Sequence, residues 1–489
     1  MRSAAPPGPL SRWLALSLAA LPSLAALALL WQTRRATLAL PPLLLLDAPA
    51  AFMLLAASLA IAAESLGDLA AQRPGVIWWP YLRWSLAAVA CLALQPALVP
   101  LALLLAVGER ASSYAAARGA PRSRLLSAAP VAGSSGTIAL DLVAIACLAA
   151  GAALAQRGAA LGTPLIIAWL LAACRPLVRP RSTIPAALWL MPLLLSYRAG
   201  PWNIGWGYAA LLLGVGAALL AAIHCFASRP DDGDADAAPI YAGLALAGIG
   251  LGSGAGIIAA CFALLVSAII VAPRRSAPTA GWMRHALTPA FPLAAPFIAC
   301  WMVVGAAAAG GAAAAAGVIW LAALLLALRG AIGGPPMASR GSAVASLVIG
   351  IAAPPIVRYL LQPVAEQLQG GLTLFGDLAV WPWVGLAAAT SARVEVAVLP
   401  TLLVAGMMLV LLALVALAGR PVAPDVAPPG LGQHGAADPG DLLDQLLVSA
   451  EADRSVGAAP PTSGRPDLLR RVAALVPWLG PREPPHDAG

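Results

Sequence analysis

The sequence predicts an all-α fold: a polytopic integral membrane protein of roughly 13–14 transmembrane helices, at least one of them discontinuous. Three observations carry this. The 489 residues are 61% hydrophobic and 10% charged, whereas soluble chains run near ~45–50% apolar and ~25% charged. Apolar runs long enough to span a bilayer recur from Trp13 to Ala418. One stretch, Leu170–Pro192, breaks that pattern with four prolines and three arginines. A bilayer forces each spanning segment to satisfy its own backbone, so only helices or a closed barrel qualify. Leu/Ala runs without strict alternation exclude the barrel.

The spans follow in order. Trp13–Trp31 has the length of a signal peptide, but no convincing small-residue cleavage site follows it, so it reads as a retained helix. Leu43–Ala62, Leu82–Leu94, Ala97–Ala117 and Gly136–Ala155 come next. Then comes the broken region from Pro164 to Tyr197. Further spans are Ile204–Ala227, Ile240–Gly254, Gly256–Val271, Phe291–Ala309, Ala312–Leu328, Ala343–Leu361, Val380–Thr390 with its flanks, and Val398–Ala418. Pro41, Pro96 and Pro100 sit near helix starts, where a missing N–H matters least. Residues 1–420 thus form the membrane domain. Residues 421–489, rich in Pro, Gly, Asp and Arg, read as a partly disordered soluble tail with two short amphipathic segments, Leu442–Leu447 and Leu468–Val476. The second carries Arg465, Arg470 and Arg471, suited to phosphates or acidic side chains.

The net charge of +8 comes entirely from arginine against acids, since all 29 basic residues are arginine and no lysine occurs. Most sit in connections, such as Arg34, Arg35, Arg73, Arg274 and Arg275, where they anchor at headgroups. No basic stripe interleaved with aromatics occurs, so nucleic acid is not a partner. The six cysteines lie singly in or beside apolar segments without a CxxC pair, so no metal, disulfide or other cofactor is expected. His224 ends a span and the other histidines lie in connections or the tail. The runs Gly248–Gly256 and Gly305–Gly317 allow close helix packing and are not phosphate loops, because no lysine or strand accompanies them.

A charge inside an apolar span is a functional candidate by default. Glu109 stands a dozen residues into Ala97–Ala117. Either it faces the protein interior, or the helix ends near Gly108 and leaves it among headgroups. Asp141 stands about one turn into Gly136–Ala155, where an acid at the helix N-terminus is the simpler reading. Arg175, Arg179 and Arg181 lie in the broken region, which lines a cavity or else forms a basic surface loop. An arginine holds an anion or a carboxylate but does not relay a proton by titrating.

Taken in order, these segments resemble the antiporter-like proton-channel subunits of respiratory complex I, a module shared with multisubunit cation/proton antiporters and membrane-bound hydrogenases. The likeness covers about Leu44 to Leu328. Leu43–Ser58 resembles the family's "LDGLSAFFLLL", with Asp47 at its aspartate. Leu101–Ala116 is similar to "FWELMSLSSY", with Glu109 at its glutamate and Gly108 at its tryptophan. Arg175–Pro185 resembles "KAGLVPFHVWLP" with one deletion, placing Arg175 at the lysine and Ser182 at the histidine. Asp234–Gly252 resembles "DLKRLLAYSSISHLGLILLG", keeping Asp234, Tyr241 and Gly248, and Phe291–Val304 resembles "PPLAGFIGKWLLL", with Cys300 at the lysine. In Ala259–Pro273, similar to "FHLLNHALFKALLFL", every basic position is apolar or small.

The resemblance implies a membrane subunit of a respiratory, hydrogenase or antiporter complex. It implies sibling membrane subunits as partners, a multi-pass place in the cytoplasmic membrane, and no catalytic site of its own. Glu109 with Arg175, Arg179, Arg181 and Asp141 would form its proton path or a buried ion pair. The missing lysines point to a structural subunit impaired in proton translocation. Two other readings remain: an active channel using Glu109 and water, or an unrelated polytopic transferase or transporter.

Overall fold

The computed structural model describes residues 9–34, 38–40, 44–70, 135–156, 164–171, 190, 193–194, 197, 204–227, 237–270, 288–289, 291, 293–332, 340–368, 376–381 and 385–390. The chain divides into Met1–Val415 and Ala416–Gly489. The second unit, with both amphipathic tail segments, lies outside the described residues, as do the spans expected at Leu82–Leu94, Ala97–Ala117 and Val398–Ala418.

The described residues are helical apart from two short hairpins. Helix α1 (Pro9–Thr33) contains the expected first span. Its end carries Arg34, whose guanidinium stacks 3.5 Å over the exposed Trp31 ring, an aromatic–cation pair suited to a headgroup boundary. Strands β1 (Leu38–Leu40) and β2 (Leu44–Leu46) pair antiparallel. Helix α2 (Ala48–Ala70) therefore starts later than the expected Leu43 and runs past Ala62. Asp47 sets that start: its carboxylate accepts the Ala50 N–H at 2.9 Å and its carbonyl the Ala51 N–H at 2.9 Å, an N-cap that ends the extended run. Pro49 fits in the first turn, where no intrahelical N–H is required.

Helix α3 (Ser135–Gln156) and α4 (Ile204–Ala227) match their expected bounds closely. They are followed by α5 (Ala238–Gly250), α6 (Gly254–Ile270), α7 (Ala295–Ala309) and α8 (Ala313–Ile332). Helix α5 packs on α4 and α6, α6 on α7 and α2, and α8 on α4 and α7. All of α5 and most of α6 and α7 are buried, as an element apolar on every face requires.

Glycine sets the α4–α5 distance. A Cβ on Gly214 or Gly250 would strike the backbone nitrogen of Ala247 or Leu211, and one on Gly243 would come within 2.7 Å of Ala218 N. The α5–α6 turn uses Gly252 at φ 61°, and Gly248 faces Gly256 so closely that a Cβ on Gly248 would lie 2.7 Å from its carbonyl. The close packing expected of Gly248–Gly256 is thus present. The second small-residue run makes the α7–α8 turn, with Gly311 at φ 76°.

Two expected spans take other forms. Ala343–Leu361 is not one helix. Helix α9 (Arg340–Ile351) ends, and Ser342–Ile351 meets Ala353–Gln367 at 73°. Pro354 and Pro355 lack the N–H groups that would continue α9. The second limb is α10 (Ala353–Ile356), a π turn over Val357–Leu361 and α11 (Gln362–Gln367). The discontinuous helix therefore exists here. In the region first expected to hold one, a short helix over 164–171 is described and most of the rest lies outside the described residues. Val380–Thr390 is not helical either. Strands β3 (Gly376–Trp381) and β4 (Gly385–Thr390) pair antiparallel from Gly376↔Thr390 to Trp381↔Gly385. Pro382 and the two flanking glycines, Gly376 and Gly385, outweigh the run's hydrophobicity, because neither residue type supports a helix interior.

Among the described residues, Trp206–Phe226 is long and apolar enough to cross a membrane alone, and the bent pair gives a second such span if counted as one. Large apolar side chains also face outward: Leu21, Leu24 and Trp31 on α1, Leu212 on α4, Val344 and Val348 on α9.

Candidate functional site

Glu109, Arg175, Arg179 and Arg181 lie outside the described residues. Asp141 falls in the second turn of α3, one turn further in than the first-turn position expected of it, and α3 has no acid in its first turn. The described structure instead includes the helices that carry Tyr241, Gly248 and Cys300.

The centre formed by α5, α6 and α7 contains no Asp, Glu, Lys, Arg or His. Their polar groups are few. Ser267 on α6 donates to the Ala238 carbonyl at 3.2 Å, closing the α5–α6 hairpin at its open end. Ser253 accepts the Gly256 N–H at 3.1 Å and starts α6. Tyr241 on α5 is 0% exposed. Its hydroxyl has no hydrogen-bond partner, and Cys225 of α4 and Cys300 of α7 are among its neighbours. The indole N–H groups of Trp169 and Trp301 are also buried without a partner. Trp301 sits one residue beyond Cys300 and lies nearly parallel to Phe297, with centroids 6.2 Å apart and planes at 3°.

Cys300, where the sequence resemblance calls for a lysine, is a buried thiol among apolar helices. Helix α6, where the sequence resemblance calls for basic residues, is built mainly of Ala, Ile, Leu and Phe. A proton crossing this centre by side-chain titration would find no carboxylate, imidazole or amine on α5, α6 or α7. Among the described residues no group of His, Cys, Asp and Glu is arranged to hold a metal.

Three functional-looking residues emerge only from the structure. Arg329 was a flanking residue by sequence, one position past the expected end of its span. Helix α8 continues to Ile332, and Arg329 is 8% exposed. Tyr197, from the broken region, donates to the Ile249 carbonyl at 2.6 Å and tilts against Trp206 at 6.3 Å, so that region is tied to the ends of α4 and α5. Gln367 has no sequence signal at all; it bridges α1 and α2 from the far end of the bent pair.

No protein-family model matches the sequence, and no curated protein matches it. Solved structures do match its fold. One is a chain of the Mrp complex from Dietzia sp. DQ12-45-1b, at TM-score 0.55 and 15% identity, covering 98% of this chain and 64% of that one. This chain thus spans under two thirds of that chain's length. Another belongs to the membrane-bound sulfane sulfur reductase, an archaeal respiratory membrane complex, at TM-score 0.52 and 13% identity, covering 94% of both chains. The protein has the all-α fold of subunits of such membrane complexes. At these identities the fold is shared, and the chemistry rests on the residues above.

Proposed function

We propose that this chain is an antiporter-like, multi-pass subunit of the cytoplasmic membrane, built into a multisubunit ion-translocating or redox-driven complex as a scaffold that does not itself pump. The fold supports the first half of this reading, since both structural neighbours are chains of membrane complexes. A single observation carries the second half: α5, α6 and α7 bring no Asp, Glu, Lys, Arg or His to the centre. In this reading Glu109 and Arg175 form a fixed ion pair. A carboxylate biases a neighbouring base only if that base can release its proton, and arginine does not. The tail after Arg420 docks on a neighbouring subunit or the headgroup layer, because its apolar stripes are too short to fold alone.

The test is Glu109→Gln in the assembled complex, reconstituted in vesicles at matched amounts. Ion translocation is expected to stay nearly unchanged. A large loss with normal assembly and electron transfer would overturn the scaffold reading in favour of a glutamate–water path. Affinity purification in mild detergent identifies the partners, and truncation after Arg420 is expected to weaken their recovery while the membrane domain stays folded.

A further inference from the structure

At its end, the bent limb 353–367 reaches two helix termini at once. The Gln367 carboxamide oxygen accepts the Ala48 N–H at 2.7 Å, and its nitrogen donates to the Thr33 carbonyl at 2.8 Å. These partners lie 319 and 334 residues away in sequence. Each is a group that its own helix leaves unsatisfied: the first N–H groups of α2 and the last carbonyls of α1 have no intrahelical partner. Thr33 and Ala48 are both fully buried, so each needs a partner that its own helix does not supply. Only one amide orientation serves a donor on one side and an acceptor on the other, which fixes how Gln367 must sit.

The start of α2 is thereby capped by two residues, Asp47 from its own chain segment and Gln367 from the far limb. The limb ending in Gln367 is itself irregular. Gln362 N–H bonds back to the Val357 carbonyl, five residues earlier, and Pro363 follows without an N–H to resume the α-helical pattern. The limb's far end packs on α2 and α6, and its π turn touches α1.

We propose that Gln367 is a latch, a positioning residue that makes the α1–α2 junction and the limb 353–367 open and close as one unit. The limb leaves its seat only by uncapping α2, and the junction shifts only by releasing the limb. Independently of the scaffold reading, this assigns the discontinuous helix a fixed mechanical partner at the other end of the sequence.

Hydrogen exchange on the full chain in nanodiscs tests it. In the natural protein, amides at 48–51 and 362–368 are expected to open at one common rate. Distinct opening rates for the two segments overturn the latch whatever any variant does. Gln367→Met keeps the side chain's length and removes both bonds. It is expected to speed exchange in both segments roughly tenfold or more, as the loss of two hydrogen bonds implies, with α4 and α5 unchanged. Acceleration in one segment alone, or in neither, also overturns it. Gln367→Asn, one methylene shorter, reaches only one partner and is expected to fall between; an Asn variant indistinguishable from the natural protein counts against the bridge.

Discussion

Between α4 and α5 two backbones meet with no side chain between them. Where α1, α2 and the bent limb meet, one side chain spans the gap between two backbones. The first contact depends on the absence of atoms at Gly214, Gly243 and Gly250. The second depends on one carboxamide at Gln367 and one carboxylate at Asp47. Volume complementarity fails steeply, because a packed backbone has nowhere to move. A polar junction fails by smaller steps, one hydrogen bond at a time. The difference assigns rigidity to the α4–α5 contact and adjustability to the α1–α2 corner.

The largest effect is expected at the glycines. Gly250→Ala places a methyl against the Leu211 backbone and 2.8 Å from the Gly207 carbonyl. It should lower stability by about 2–3 kcal/mol or more, read as thermal unfolding of the purified protein in detergent. Tolerance of Gly250→Ala with an unchanged melting temperature would show that α4 and α5 separate freely, and would erase the contrast. Next comes the polar corner. Asp47→Ala removes the α2 cap and should cost about 1 kcal/mol; Asp47→Asn, which keeps the accepting oxygen, should restore most of it. A loss as large as the glycine's would place both regions in the same class.

Smaller effects sharpen the comparison from the other side. Gly216, also on α4, has nothing within 4 Å of the point where a side-chain methyl would sit. Gly216→Ala should therefore stabilise by roughly 0.5–1 kcal/mol through helix propensity alone. Destabilisation there would mean that the outer face of α4 is covered. The smallest change is expected for Tyr241→Phe. Its hydroxyl is buried without a partner, so removing the oxygen should leave stability unchanged or raise it by up to about 1 kcal/mol. A clear loss would reveal a bond to a group such as ordered water and would make the centre more polar than its helices suggest.

Much of the fold was legible in the sequence, for a physical reason. Helices α1, α3, α4 and α8 stand out because long Leu/Ala runs carry their own signal, independent of what they touch. The break at Ala352 carried a local signal too, the Pro354–Pro355 pair, but the surrounding hydrophobicity masked it. The hairpin over 376–390 shows the same conflict, with Gly and Pro prevailing over an apolar run. At the candidate site, the emptiness of the centre was readable, since an all-arginine chain leaves Cys300 where the resemblance calls for lysine. The burial of Arg329 was not readable, because it depends on α8 continuing one turn past its apolar run.

The sequence by itself determined that the chain is a set of apolar helices with no lysine among them, because hydrophobicity and residue identity are local properties. Tertiary structure alone decided which helices touch, how near α4 comes to α5, and which residue completes the start of α2. Those outcomes join groups as far apart as Thr33 and Gln367. A backbone N–H or carbonyl left open at a helix end looks the same in every sequence, and only the folded chain brings its partner to it.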